Sequence, residues 1–233
     1  MTEASLARLA ARWELDSAQV ERLAAVLALI DGDSTAPTTV RGAEAVDVHV
    51  GDSLSALALD CVRNARRIAD LGSGAGFPGA VLAIALEDAH VALVESASRK
   101  CAFLERLCVE AGIANADVVH ARAEQWPSGA LAHDLVVARA LAPLAVLCEY
   151  AAPLLALDGW LVAWKGAVGE EEARAGARAA ELLGLEPSEA VRTAPYAASV
   201  AHHLHAFRKV GETPAGFPRR PGVARKRPLG GAA

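Results

Sequence analysis

The sequence has few aromatic residues and no long apolar run. Phenylalanine, tryptophan and tyrosine make up 4% of its 233 residues, whereas apolar residues, many of them alanine, reach 53%. No apolar segment approaches the ~18 residues that a membrane-spanning helix needs. Residues 1–5 also lack the basic-then-apolar order of a signal peptide. These absences predict a cytoplasmic protein without a membrane span, and the chain is long enough to bury a sizeable core.

The sequence also lacks the paired spacing of metal-binding or disulfide-forming cysteines. Its four cysteines are Cys61, Cys101, Cys108 and Cys148. Cys101 and Cys108 fall on one face of a predicted helix, which favours small buried side chains. Three histidines lie close together near the C-terminus, but only His203 and His205 would share a face of a strand. We therefore predict no metal site.

Positive charge is scarce except at the C-terminal end. The chain has a formal net charge of -5, whereas the segment from Gly211 onward holds five basic residues and one acidic residue. This tail therefore carries +4 and the remainder carries -9. A basic, proline- and glycine-rich tail is typical of a nucleic-acid contact, and it is equally typical of a solvated terminus.

The first 65 residues have a helical pattern. Leu6, Leu9 and Trp13 have helical spacing, and Asp16 with Gln19 predicts a capping box that begins a second helix. A third helical run begins near Leu54, with Asp52 or Ser53 as its expected N-cap. We predict an N-terminal helical extension over residues 1–65.

Strand and helix patterns alternate from residue 66 to residue 210. Five buried strands are predicted at residues 68–71, 90–94, 117–119, 134–138 and 160–164, followed by a final strand pair at residues 190–191 and 200–210. Four helices are predicted between them. The first ends at Leu86, the second ends at Gly112, the third begins at Pro143 and is kinked at Pro153, and the fourth spans residues 170–183. This alternation predicts an α/β domain over residues 66–210 with a doubly wound, mostly parallel sheet, followed by a basic tail over residues 211–233.

A glycine-rich turn follows the first strand and precedes an apolar helix. Such a turn lets a ligand approach the backbone at the positive end of a helix dipole. Gly74, Gly76 and Gly79 fit the dinucleotide pattern G-x-G-x-x-G, with Glu95 placed as an acid for a ribose. This register alone would indicate an NAD-dependent oxidoreductase.

Asp70 favours a different register of the same turn. A carboxylate there would repel the pyrophosphate of NAD, but it suits a ligand that carries an ammonium and a sulfonium group. Asp70-x-Gly72-x-Gly74-x-Gly76 is therefore typical of an S-adenosylmethionine loop. In this register the glycines let the ligand approach the backbone, and Glu95 accepts hydrogen bonds from the ribose hydroxyls.

Several motifs together resemble the RsmG/GidB family of small-subunit ribosomal RNA guanine-N7 methyltransferases. They include the run 70–79, His49-x-x-Asp52-Ser53-Leu54, Leu93-Val94-Glu95-Ser96 with Arg99-Lys100 and Phe103-Leu104, Ala121-Arg122-Ala123-Glu124, Ala138-Arg139-Ala140 with Pro143-Leu144, Lys165-Gly166 and Phe217-Pro218-Arg219-Arg220. The resemblance covers nearly the whole chain in order. One segment departs from the family, because Pro37-Thr38-Thr39 stands where the family has Asn-Leu-Thr.

The resemblance implies a class I methyltransferase fold, Rossmann-like with an antiparallel last strand, that binds S-adenosylmethionine. The expected cofactor-binding residues are Asp70, Gly72, Ser73, Gly74, Gly76, Phe77, Glu95, Ser96, Ala123, Glu124 and Arg139. It also implies methylation of N7 of a guanine in the 530 loop of 16S ribosomal RNA, free or within the small subunit or an assembly intermediate. The alternatives are a methyltransferase of another RNA or of a small molecule, an NAD-dependent oxidoreductase, and a non-catalytic nucleotide-binding module. We expect a monomer.

The mechanism is predicted from motifs that the sequence lacks. After the fourth strand there is no Asn/Asp-Pro-Pro-aromatic motif of amine methylation and no cysteine nucleophile. Guanine N7 has an in-plane lone pair and no proton, so in-line attack on the methyl group needs no general base. Arg139 is the predicted catalytic residue, which orients the guanine. The predicted RNA-binding residues are His49, Lys100, Lys165, Arg219 and Arg220.

Overall fold

The computed structural model describes residues 2–196, 199 and 202–230. The described strands are β1 (Arg67–Leu71), β2 (His90–Glu95), β3 (Ala116–His120), β4 (His133–Arg139), β5 (Leu155–Lys165), β6 (Leu185–Pro187), β7 (Val191–Thr193) and β8 (His202–Lys209). They form one sheet in the order β3-β2-β1-β4-β5-β8-β6, and β7 also pairs with β8. The first five strands are parallel and β8 runs antiparallel to β5. The predicted doubly wound sheet with an antiparallel last strand is confirmed.

Helices cover both faces of the sheet. They are α1 (Thr2–Trp13), α2 (Ser17–Gly32), α3 (Gly42–Ala45), α4 (Asp52–Leu54), α5 (Asp60–Arg63), α6 (Gly79–Ala85), α7 (Ser98–Glu110), α8 (Leu144–Ala151), α9 (Glu170–Leu182) and α10 (Val223–Lys226). Helices α1 to α7 contribute to one hydrophobic cluster, while α8 to α10 contribute to the other. Strands with both faces covered are apolar throughout, which is why the five parallel strands have nearly continuous apolar runs. Among the described residues, no helix is long and apolar enough to cross a membrane.

The N-terminal extension packs directly on the sheet domain. The predicted capping box is present, since Gln19 N donates to Asp16 Oδ1 and Asp16 N donates to Gln19 Oε1. The Gln19 amide also donates to Ile84 O, which ties α2 to the end of α6. The extension and the sheet share one hydrophobic cluster. The domain boundary at residue 65 stays a prediction.

The third helical run begins earlier than expected. Residues 42–58 are helical without interruption, with a π-helical turn (Val46–Gly51) between α3 and α4 and a 3-10 turn (Ser55–Ala58) after α4. Asp52 and Ser53 therefore lie inside the run, and the prediction that either caps its start was wrong. The Ser53 hydroxyl bonds back to His49 O instead. A π turn inserts an extra residue into a helix and re-aims its neighbours, which here include His49 and Asp52.

Two other local predictions need adjustment. Helix α8 ends at Ala151, so Pro153 follows the helix and does not kink it, and Pro143 is its N-cap residue. The final strand pair is present as β7 and β8, although Val200 lies outside the described residues. Part of the basic tail packs on the sheet domain, since Ala224 of α10 is buried.

Candidate active site

The glycine turn follows β1 at the carboxyl end of the sheet. The strand order reverses between β1 and β4, and ligands usually bind at such a reversal in this architecture. Gly72 N donates to Val94 O at 2.8 Å, which fixes the start of the turn to β2. Gly72, Gly74 and Gly76 all have positive φ, a conformation that side chains disfavour. At Gly72 an added Cβ would also lie 2.7 Å from Leu141 Cδ1. The turn therefore needs glycine for both its conformation and its clearance.

Asp70 is buried at the end of β1 beneath this turn. Its Oδ2 accepts from Gly79 N at 3.0 Å, which caps the start of α6. Its Oδ1 is buried and has no hydrogen-bond partner among the residues described. Burial raises the pKa of Asp70 to about 7. An unpartnered buried carboxylate oxygen needs a donor, so this side chain fits a cationic or hydrogen-bonding ligand group at the turn.

Glu95 ends β2 and joins the glycine turn to the start of α7. Its Oε1 accepts from Ser96 N at 2.8 Å and from Ala97 N at 2.9 Å. Its Oε2 accepts from Gly74 N at 3.3 Å. These bonds hold the carboxylate in one orientation beside the turn.

A cavity of about 210 Å³ opens next to the turn. It is lined by Leu71, Gly72, Val94, Ser96, Ala121, Arg122, Ala123, Glu124, Leu141, Tyr150 and Arg225. Four of the predicted cofactor residues therefore meet at this cavity: Gly72, Ser96, Ala123 and Glu124. Sequence reasoning did not find Tyr150 and Arg225, which come from α8 and from the C-terminal tail.

Arg139 ends β4 on the other side of the turn. Its NH1 donates to Asp52 Oδ2 at 3.0 Å and to Val48 O at 2.9 Å, and NH2 lies 3.3 Å from His49 Nδ1. The guanidinium carbon is 5.5 Å from the centroid of the Phe77 ring. The side chain is only 16% exposed. Arg139 is therefore held in place by the N-terminal extension.

The partners of Arg139 extend into a polar network. Asp52 Oδ1 lies 3.0 Å from His202 Nδ1, and His202 Nε2 lies 3.3 Å from the Tyr196 hydroxyl. The Trp164 indole donates to Asp52 O at 2.9 Å. Only Asp52 of these residues carried a motif signal, because the others are more than 100 positions away from it in the sequence.

His49 and Phe77 lie against each other between the turn and Arg139. Their rings stack with centroids 4.3 Å apart, and both residues are buried. His49 Nε2 lies 2.9 Å from the Thr38 hydroxyl, so the segment that departs from the family pattern supports this histidine. Burial, with Arg139 adjacent, lowers the pKa of His49 to about 4. His49 is thus neutral near pH 7.

Sequence comparison decides the family. The chain matches the GidB family, described as rRNA small subunit methyltransferase G, over residues 21–198. This chain belongs to the GidB family. It is 42% identical to ribosomal RNA small subunit methyltransferase G of Rubrobacter xylanophilus over 78% of this chain and 72% of that protein. It is 39% identical to the protein of the same name from Pelotomaculum thermopropionicum over 82% of both chains.

Solved structures support the fold of this GidB chain. The cofactor-bound Rv0187 from MTB matches with a TM-score of 0.58 and 21% identity, covering 89% of this chain and 96% of that one. The fibrillarin pre-rRNA processing protein of Methanococcus jannaschii matches with a TM-score of 0.54 and 16% identity, covering 70% and 74%. The class I methyltransferase fold is therefore confirmed. Membership in a methyltransferase family also decides between the two glycine registers in favour of a methyl donor.

The predicted RNA-binding residues of the GidB chain differ in their surroundings. Lys165 Nζ pairs with Glu172 Oε1 at 2.7 Å, and Lys100 Nζ lies 3.9 Å from Glu95 Oε2. Both lysines flank the site, and Arg220 is exposed. His49 is buried under Phe77, so its prediction as an RNA contact is not supported by its position.

Arg219 is bonded to the sheet domain. Its guanidinium pairs with both oxygens of Glu149, a residue of α8 that is completely buried. Its backbone N–H also donates to Glu149 Oε1 at 3.2 Å. This pair with a buried carboxylate anchors the tail to α8. The Arg219 side chain is still 24% exposed, so its contact with a phosphate stays a prediction.

No group of three potential metal ligands occurs among the described residues. The rings of His203 and His205 do lie on one face of β8, with centroids 6.3 Å apart. His202 lies on the other face with Asp52.

Proposed function

We propose that this GidB methyltransferase transfers the methyl group of S-adenosylmethionine to N7 of a guanine in the 530 loop of 16S ribosomal RNA. The observation that carries the proposal is the position of Arg139. It ends β4 beside the glycine turn, with its guanidinium fixed by Asp52 and adjacent to Phe77. A fixed, planar cation at this point can donate to O6 on the Hoogsteen edge of guanine, which leaves the N7 lone pair free to attack the methyl group.

The cofactor is S-adenosylmethionine, which supplies an activated methyl group when bound. Gly72, Ser96, Ala123 and Glu124 meet at one cavity and would hold the nucleoside part. The Asp70 carboxylate, with its unpartnered Oδ1, lies beneath the turn and would favour the positively charged end of the cofactor. Glu95 would accept from the ribose, while Ser73, Gly74 and Gly76 shape the backbone around it. Phe77 and Arg139 would border the reacting methyl group.

Direct transfer without a general base is consistent with the titratable groups around the site. N7 of guanine loses no proton when it is methylated. Burial raises the pKa of each of the four cysteine thiols, so none offers a thiolate for covalent catalysis. Catalysis then depends on placing the lone pair in line with the methyl group, with Arg139 orienting the guanine.

The RNA would approach from the side of Arg139. Lys100 and Lys165 flank the site, and Arg220 lies exposed on the tail. Contacts of this kind to phosphates position an RNA without reading its sequence. Action as a cytoplasmic monomer on free 16S RNA, the small subunit or an assembly intermediate is part of the same proposal.

The experiment uses small subunits isolated from a strain in which the gene is deleted. The purified enzyme is incubated with them and with radiolabelled S-adenosylmethionine, and the RNA is digested to nucleosides. Label in N7-methylguanosine supports the proposal. Label in any other nucleoside, or none in RNA while small molecules are methylated, contradicts it. In a thermal-shift titration, stabilisation by NADH and not by S-adenosylhomocysteine would also contradict it.

A further inference from the structure

The C-terminal strap, defined here as residues 217–230, contributes one side chain to the cavity beside the glycine turn. Arg225 lines that cavity, and its NH2 donates to Leu141 O at 2.9 Å. Gly222 N donates to Glu124 Oε1 at 3.1 Å. Leu141 and Glu124 line the cavity as well. The strap is therefore bonded to two walls of the cavity and contributes a side chain to it.

The strap is anchored at both ends. Arg219, near its start, pairs with the buried Glu149 of α8. Gly230, at its end, accepts from Arg178 Nε of α9 at 2.8 Å. Ala224 between them is 1% exposed. These contacts order the strap against the sheet domain, and they explain why its basic residues are not simply a solvated tail.

We propose that the C-terminal strap is a wall of the cofactor pocket and that Arg225 binds the nucleoside part of S-adenosylmethionine. The proposal rests on the proposed function only for the identity of the cofactor. Arg225 lines the cavity together with Ala123, Glu124 and Tyr150. A planar guanidinium offers a face that stacks on a nucleobase and donors for its ring nitrogens.

Glu124 gains a second role from this arrangement. Its Oε1 is held by Gly222 N of the strap, and so the strap fixes the orientation of the carboxylate at the cavity. Cofactor binding and strap order are therefore coupled, because each stabilises the same arrangement of Glu124 and Arg225. Lys226 and Arg227 follow Arg225 directly but do not line this cavity.

Isothermal titration of the full chain with S-adenosylhomocysteine tests the role of Arg225. Arg225→Ala should weaken binding roughly tenfold, the loss expected for one charged contact. Lys226→Ala removes the same charge from the next position and should change the Kd less than about twofold. Arg225→Lys keeps the charge but loses the planar guanidinium. Its Kd for S-adenosylhomocysteine should fall between those of Arg225→Ala and the unmodified protein. Equal binding by Arg225→Ala and the unmodified protein overturns the proposal, as does equal weakening by both alanine variants.

Hydrogen exchange measured by mass spectrometry tests the strap without a mutation. Addition of S-adenosylhomocysteine should slow exchange of the amides in residues 217–230, in particular that of Gly222. Unchanged exchange in the strap, while amides of residues 72–76 are protected, overturns the proposal.

A parallel titration with small subunits separates a cofactor role from an RNA role. Arg225→Ala should retain the affinity of the unmodified protein for the subunit. Weaker subunit binding with an unchanged Kd for S-adenosylhomocysteine would make Arg225 an RNA contact and overturn the proposal. If the unmodified protein itself does not bind S-adenosylhomocysteine, both the proposed role of Arg225 and the proposed function fail. Failure of the Arg225 variant alone leaves that function intact.

Discussion

Arg139 and Asp52, 87 positions apart in the sequence, form an ion pair with NH1 3.0 Å from Oδ2. The pair joins the end of β4 to the N-terminal extension directly beside the glycine turn. The Asp52 side chain is 6% exposed and that of Arg139 is 16% exposed, so both charges are largely removed from water. The extension therefore positions a side chain of the candidate active site.

Asp52→Ala should destabilise the protein and disable methyl transfer. The substitution leaves a largely buried guanidinium without its carboxylate, at a cost of about 3 kcal/mol in the free energy of unfolding. Urea denaturation measures this cost. The matched control is Asp60→Ala, which removes an exposed pair with Arg63 and should cost less than about 1 kcal/mol. Equal costs for the two variants would show that the Asp52 pair does not hold Arg139.

Arg139→Ala should lower kcat for methylation of the small subunit by about 100-fold while the Kd for S-adenosylhomocysteine changes little. The reason is that Arg139 is proposed to border the methyl group, which S-adenosylhomocysteine lacks, whereas the cavity that would hold the nucleoside is lined by other residues. Steady-state kinetics and calorimetry supply the two numbers. Arg139→Lys keeps the charge but not the planar guanidinium, and it should recover only part of the loss in kcat. Full activity of Arg139→Ala would remove Arg139 from the mechanism.

Gly79→Ala should destabilise the protein by about 2 kcal/mol through overpacking. A Cβ at Gly79 would lie 2.6 Å from Asp70 Oδ2 and would also clash with the Leu93 side chain. The displaced carboxylate should weaken binding of S-adenosylhomocysteine in the same variant. Gly32→Ala is the control, because an added Cβ there has no described atom within 4 Å. It should not lower the urea midpoint, and a similar loss in both variants would argue against close packing at Asp70.

His49→Gln should remove part of the acid sensitivity of the fold. The pKa of His49 is lowered from 6.5 to about 4 in the folded protein, so the unfolded chain binds a proton there first as pH falls. This group therefore stabilises the folded state at neutral pH, and its contribution is lost between about pH 6.5 and pH 4. Between pH 7 and pH 5 the unmodified protein should lose about 2 kcal/mol more than His49→Gln in urea unfolding. Parallel losses in the two proteins would contradict the burial of a neutral His49.

The order of elements along the chain follows from local patterns. Apolar strands with helical spacing between them predict the parallel sheet, and the closely spaced glycines after β1 predict the ligand turn. The capping box at Asp16 was predicted because its two partners are three residues apart. Such features depend on neighbours in the sequence, and pattern reasoning is suited to them.

The side-chain partnerships of the site were not predictable in the same way. Asp52 looks like an N-cap in the sequence, and only the fold brings it to Arg139 and His202. The pair between Arg219 and Glu149, 70 positions earlier, leaves no pattern in the sequence. The charge of the tail is typical of a nucleic-acid contact and of a solvated terminus, and neither predicts that Arg225 lines the cavity. The net charge of a segment does not show which group each of its side chains contacts in the fold.

The most direct test of the account maps N7-methylguanine in ribosomal RNA. Total RNA from the organism and from a strain lacking this gene is treated with borohydride and aniline, which cleaves the chain at N7-methylguanine. The account predicts cleavage in the 530 loop of 16S RNA in the first sample, no cleavage there in the second, and its return when the gene is restored but not when Arg139→Ala is supplied. The same cleavage in both strains would contradict the account.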